Sequence, residues 1–201
     1  MAAPLGCSVQ TGVGTVRNVL RPSPGTALAV FGAGSVGLSA VMAAVAEGCT
    51  VVAVDPIASR RALAEELGAA ATIDPGAEDD VAAALCDLTH GGPRHAIDTT
   101  GQPVAVSQAI SALRKRGTLA LVGIGMVDFA TMPVMTKGLT IKGVTEGDVV
   151  PSQTIPPSSS ASTRRANSPP GETHHRIPPG RHRNRRHRRV FGAGHQTRPH
   201  P

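Results

Sequence analysis

Ala27-Leu28-Ala29-Val30-Phe31-Gly32-Ala33-Gly34-Ser35-Val36-Gly37-Leu38-Ser39-Ala40-Val41-Met42 is the stretch whose reading decides the fold. The five apolar residues Ala27 to Phe31 are too few for a stable helix and read as a strand buried on both faces. Three glycines then interrupt it, and an alanine-rich helical pattern follows. Gly32 permits a tight turn, Gly34 lets the backbone approach a ligand, and Gly37 lets helix and strand pack closely. The free N–H groups and the positive dipole end of a helix beginning near Ser35 suit a pyrophosphate. A G-x-G-x-x-G motif on its own says little; between a strand and a helix it meets the requirement of its mechanism.

Outward from this unit the rhythm repeats. From Thr26 to Gly143, short apolar runs predict strands at Ala27 to Phe31, Thr50 to Asp55, Ala70 to Ile73, His95 to Asp98, Thr118 to Val122 and Leu139 to Lys142. Helical patterns lie between them at Ser35 to Glu47, Ser59 to Leu67, Asp79 to Leu88 and Pro103 to Leu113, and several close near a glycine such as Gly48, Gly68 or Gly91. This alternation predicts an α/β fold of Rossmann type, a doubly wound parallel sheet of six strands, with the ligand crevice where strand order reverses. Asp55 ends the second strand 18 residues after Gly37, where a carboxylate accepts hydrogen bonds from the adenosine ribose and repels a 2′-phosphate. NAD is therefore favoured, although Arg60 or Arg61 offers a fork that could seat a 2′-phosphate.

The net charge of +6 is an average over two unlike parts. Residues 1–150 carry 10 Lys/Arg against 13 Asp/Glu, whereas 151–201 carry 10 Arg against Glu172 alone, a local charge of +9. The second part also holds 9 of the 17 prolines and 6 of the 8 histidines, so it has too little apolar surface to offset the entropy of ordering it. The domain reading is a connecting segment at 1–25, a dinucleotide-binding domain at 26–150 and a disordered Pro/Arg/His-rich tail at 151–201. Cys7, Cys49 and Cys86 are odd in number and widely spaced, which fits a reducing cytoplasm rather than a disulfide framework; Cys49 and Cys86 read as small buried hydrophobes. No run of 18 apolar residues and no basic start followed by an apolar stretch is present, so neither a membrane span nor a signal peptide is expected.

Gly6-Cys7 with Thr11-Gly12, followed by Ala29 to Met42, resembles the zinc-containing alcohol dehydrogenases of the medium-chain family, and Gly143-Val144-Thr145-Glu146-Gly147-Asp148 is similar to their bacterial aryl-alcohol (benzyl alcohol) branch. The resemblance covers residues 2–151. It implies that Cys7 matches a ligand of the catalytic zinc, that Thr11 and Val36 lie against the nicotinamide, and that Arg60 approaches the adenosine ribose. It further implies that Val122, Gly123 and Ile124 line the carboxamide end, with Gly32, Gly34, Ser35, Gly37 and Asp55 completing the cofactor set, and that two such domains pair near Asp128 to Met132. A catalytic zinc needs about three protein ligands and an open position. The family's other ligands, a cysteine and a histidine, belong to a catalytic domain that this sequence does not contain, and nothing places His90 or His95 beside Cys7, so zinc binding is not expected here.

After Val150-Pro151 the sequence departs from the family and turns to Ser, Pro, His and Arg, a break that reads as a shifted frame. GC-rich synonymous codons for Thr173 to Pro201, read one base later, encode LITAYRLADIETAVIAESSAPVIKPVLI, similar to the closing segment of that family. On that reading His174, His175, His182 and His187 are no metal cluster, and Phe191-Gly192-Ala193-Gly194 repeats Phe31 to Gly34 by coincidence. Arg181 to Arg189 would attract phosphates non-specifically, and no aromatic platform accompanies it, so sequence-specific nucleic-acid readout is not expected. The sequence thus reads as a truncated NAD-binding domain of an alcohol dehydrogenase, inactive by itself. Two other readings stay open: a zinc-free NADPH quinone or enoyl reductase fragment, in which Cys7 is idle, and a nucleic-acid-binding protein resting on the basic tail.

Overall fold

A computed structural model describes residues 5–148. The expectations for the tail at 151–201, its disorder, histidines and arginine run, lie outside the described residues. Six parallel strands, β1 (Ala27–Phe31), β2 (Thr50–Val54), β3 (Ala71–Ile73), β4 (His95–Asp98), β5 (Thr118–Leu121) and β6 (Thr140–Gly143), form one sheet in the order β3-β2-β1-β4-β5-β6. This is the doubly wound arrangement expected from the sequence, each strand end falling within a residue of its predicted place.

Alternation along the strands explains why they read as unbroken apolar runs. Leu28 and Val30 of β1, with Val51 and Ala53 of β2, belong to one buried cluster together with Val16, Ala40, Val41 and Ala44. Ala29, Phe31, Val52 and Val54 belong to the other, with Leu85, Val106, Ala109 and Ile110. Both faces of β1 and β2 are covered, which is why their interior positions are apolar. The cover comes from α2 (Ser35–Ala46) and α3 (Ala58–Glu66), α4 (Val81–Leu88) and α5 (Pro103–Ala112).

Two helices were not foreseen. Residues 5–20, read as a connecting segment, are helical throughout: α1 (Gln10–Gly14) is flanked by π-helical turns at Leu5–Val9 and Thr15–Leu20. Gly12 and Gly14 look like helix breakers by propensity, but here they are contact points. A Cβ on Gly12 would strike the Val36 carbonyl oxygen of α2, and one on Gly14 would lie 2.5 Å from the Gly147 carbonyl oxygen. Close approach to neighbouring backbone has overridden intrinsic preference. The other is α6 (Thr131–Lys137), where Pro133 sits in the first turn and therefore costs no helical hydrogen bond.

Candidate functional site

The chain reverses direction across the sheet between β1 and β4, and at the carboxyl ends of β1, β2 and β4 a cleft of about 500 Å³ opens. Gly32, Gly34, Asp55 and Arg60 share its lining with Thr99 and Thr100 from the loop after β4. Pro56, Pro75, Val104 and Ala105 supply apolar surface. A crevice at this position, apolar with a few convergent polar groups, is the general location of ligands in open α/β sheets.

The three glycines of the loop do three different things. Gly32 has φ of +89°, and a Cβ there would lie 2.5 Å from the Thr99 hydroxyl oxygen. Gly37 is pressed against the loop itself, since its Cβ would overlap the Gly32 carbonyl oxygen and come within 3.3 Å of Val30. Nothing lies within 4 Å of a Cβ on Gly34, the residue that precedes the first turn of α2. That open space, beside the amino end of a 12-residue helix, is a cradle that a side chain would fill and an anion could occupy.

Asp55, almost fully buried, closes the cleft at the end of β2. Its Oδ2 accepts from the Ala33 amide at 2.7 Å and its Oδ1 from the Ile57 amide at 2.8 Å, so the carboxylate is bonded to the glycine loop itself. Arg60 stands 3.6 Å from the same carboxylate. Arg61 is held elsewhere, donating to the Asp55 carbonyl oxygen at 2.8 Å and pairing with Asp74 at 3.0 Å.

In sequence and fold the chain is similar to known proteins. The family of zinc-binding dehydrogenases matches residues 35–161. Geraniol dehydrogenase of Castellaniella defragrans is 44% identical over 162 residues, 78% of this chain and 43% of that protein. Benzyl alcohol dehydrogenase of Acinetobacter calcoaceticus superposes with a TM-score of 0.74 at 36% identity, over 81% of this chain and 46% of that one. A zinc-binding-domain alcohol dehydrogenase of Burkholderia ambifaria gives the same TM-score at 43% identity, over 81% and 45%. The chain belongs to the zinc-type medium-chain alcohol dehydrogenase family. It spans a little under half the length of these relatives, and its fold is that of the family's coenzyme-binding domain.

Within this dehydrogenase domain, the remaining residues named from the sequence are spread around the cleft rather than lining it. Thr11 is buried in α1, Val36 is half-buried in the first turn of α2, and the exposed Ser35 hydroxyl lies 3.0 Å from that of Ser8. Val122 and Gly123 follow β5, both amides donating to the Asp98 carbonyl oxygen at 2.9 and 3.0 Å, while Ile124 is fully exposed. Cys7 is exposed, and among the described residues no three His, Cys, Asp or Glu side chains gather where they could hold a metal. Among the described residues this donor set does not fit a zinc site. His95 lies at the amino end of β4, paired with Leu28, at the end of the sheet away from the cleft. Of the residues named from the sequence, Gly32, Gly34, Asp55 and Arg60 line the cleft itself, with open space at Gly34 and a buried carboxylate at Asp55.

Sequence reasoning missed the wall opposite the glycine loop. Thr99-Thr100-Gly101 follows β4, the strand on the other side of the reversal, and that position alone was a signal that it should help to form the crevice.

Proposed function

We propose that this chain binds NAD(H) across the cleft, as the coenzyme part of a dehydrogenase that moves hydride between an alcohol and the nicotinamide. The observation that carries this reading is the open space at Gly34 beside the amino end of α2, within reach of the buried Asp55 carboxylate. Pyrophosphate would meet the N–H groups of that helix, adenine the apolar surface of Pro56, Pro75 and Val104, and ribose hydroxyls the lone pairs that Asp55 still has free. When bound, the nicotinamide supplies the hydride acceptor, and the protein's part is to hold and orient it.

NAD is preferred over NADP on this reading. A 2′-phosphate would meet the Asp55 carboxylate, and the two nearby guanidinium groups are already engaged, Arg60 with Asp55 and Arg61 with Asp74. Paired titrations with NADH and NADPH test it: NADH should bind at least about tenfold more tightly, a difference of roughly 1.4 kcal/mol. Equal affinity, or preference for NADPH, would favour the alternative reading of a zinc-free reductase fragment.

The substrate class proposed is a primary alcohol with unsaturation next to the carbinol, aryl alcohols first, since relatives are named for geraniol and benzyl alcohol. A cytoplasmic setting and a homodimer through the Asp128 to Met132 region belong to the same proposal. Among the described residues no helix is long and apolar enough to cross a membrane. The 201-residue chain alone should give no alcohol-dependent rise in NADH absorbance, because Cys7 finds no partner ligands among the described residues. A measurable rise would overturn that expectation.

A further inference from the structure

Asp98 is fully buried, and the polar contacts of its side chain are all local. Its Oδ1 accepts from the Thr100 amide at 3.1 Å and the Thr100 hydroxyl at 2.6 Å, and its Oδ2 accepts from the Gly101 amide at 3.0 Å. A buried carboxylate is costly unless its oxygens are met by donors, and three donors on two oxygens meet that need. They also fix the shape of the loop Thr99-Thr100-Gly101. The backbone carbonyl of the same residue accepts the Val122 and Gly123 amides, so Asp98 holds the loop after β5 as well.

This loop is wedged between two others. On one side, the Thr99 amide donates to the Phe31 carbonyl oxygen at 2.9 Å, and the Thr99 hydroxyl lies 3.0 Å from the carbonyl oxygens of both Phe31 and Gly32. On the other, there is no room even for a methyl group. A Cβ on Gly101 would come within 2.5 Å of the Ile124 carbonyl oxygen, and Cβ atoms on Gly123 and Gly125 would overlap the Gly101 backbone. The glycine loop after β1 and the loop after β5 therefore do not touch each other directly through these contacts; the Asp98 loop sets their spacing.

We infer that Asp98 is a positioning residue for the dinucleotide. Resting on the NAD(H) reading above, it fixes the distance between the loop that receives the pyrophosphate and the loop, Val122 to Ile124, that receives the nicotinamide end. Asparagine is nearly the same size but offers an acceptor on one side only, so its amide group would face either the Thr100 or the Gly101 N–H, donor against donor.

The test has two arms, each on the full chain with wild type, Asp98→Asn and Thr99→Val. Amide hydrogen exchange without cofactor should rise by about tenfold or more in Asp98→Asn at Thr100 and Gly101 and also at Gly32, Ala33 and Gly123, while amides within β1 and β2 stay within about twofold. In Thr99→Val the rise should be confined to Thr100, Gly32 and Ala33. Titration should show NADH affinity falling by about tenfold in Asp98→Asn while AMP, which occupies only the adenosine half, changes by less than about twofold. A rise restricted to Thr100 and Gly101, a uniform rise throughout the sheet, or equal losses for NADH and AMP would each overturn the inference. Should Asp98→Asn not fold, Thr99→Val decides: unchanged exchange at Gly32 and Ala33 overturns it. Wild type failing to bind NADH would count against the proposed function, and the exchange arm would still decide the role of Asp98.

Discussion

Gly34 and Gly37 lie three residues apart, yet alanine at the two positions should separate binding from folding. Gly37→Ala drives a methyl group into the Gly32 carbonyl oxygen, an overpacking that should cost about 1–3 kcal/mol of stability, read from the urea midpoint. Gly34→Ala meets nothing in the protein, so stability should stay within about 1 kcal/mol while NADH affinity falls by about tenfold. Equal NADH binding by Gly34→Ala would show that the open space is not where the pyrophosphate lies. Asp55 combines the two roles, because its carboxylate ties down Ala33 and Ile57 as well as facing the cleft. Asp55→Asn should therefore narrow the preference for NADH over NADPH and lower the melting temperature in the same variant.

At the scale of the element, β4 carries a titrating group at the end opposite to Asp98. His95 is buried with its Nδ1 unpartnered among the described residues, and burial, reinforced by the charges of Arg94 and Arg114, pushes its pKa down to about 4. The folded chain thus binds fewer protons than the unfolded one between pH 4 and the ordinary histidine value of 6.5. Stability from this group is complete above about 6.5 and is lost as pH falls toward 4, with roughly 2 kcal/mol gone between pH 7 and pH 5. Urea titrations at both pH values should show that slope in wild type and a flatter one in His95→Leu; parallel slopes would contradict it. The strands and the four long helices were legible because burial on both sheet faces leaves mostly apolar runs, and because Gly48 and Gly68 end helices where they were expected to. The helix at residues 5–20 was not legible, since Gly12 and Gly14 make it poor by propensity and only the surfaces of α2 and Gly147 reveal why glycine is needed there. Of the site, the glycine loop and Asp55 were legible from local spacing. The Asp98 loop was not, because Thr99 reaches Phe31, 68 residues back, and Gly101 packs on Ile124, 23 residues forward, which no local pattern encodes.

At the scale of the whole molecule, part of the apolar surface exposed among the described residues lies in the segment between β5 and β6. Ile124, Met126, Met132 and Met135 of that segment are all exposed, and it leads into the edge strand β6, whose pairing partner is β5 alone. Such an edge invites association, and the dimer expected near Asp128 to Met132 falls within it. Sedimentation should show a dimer at micromolar concentration that Met132→Glu shifts toward monomer; a wild-type monomer at those concentrations would exclude pairing through this edge. The central claim concerns the opposite feature, the cleft between the two halves of the sheet, and calorimetric titration of the folded 201-residue chain with NADH tests it most directly. The account predicts saturable heat with one site per chain and, at about a hundredfold excess over Kd, a stabilisation of roughly 2.7 kcal/mol seen as a rise in melting temperature. No heat and no change in melting temperature with millimolar NADH, on protein shown to be folded, would contradict it.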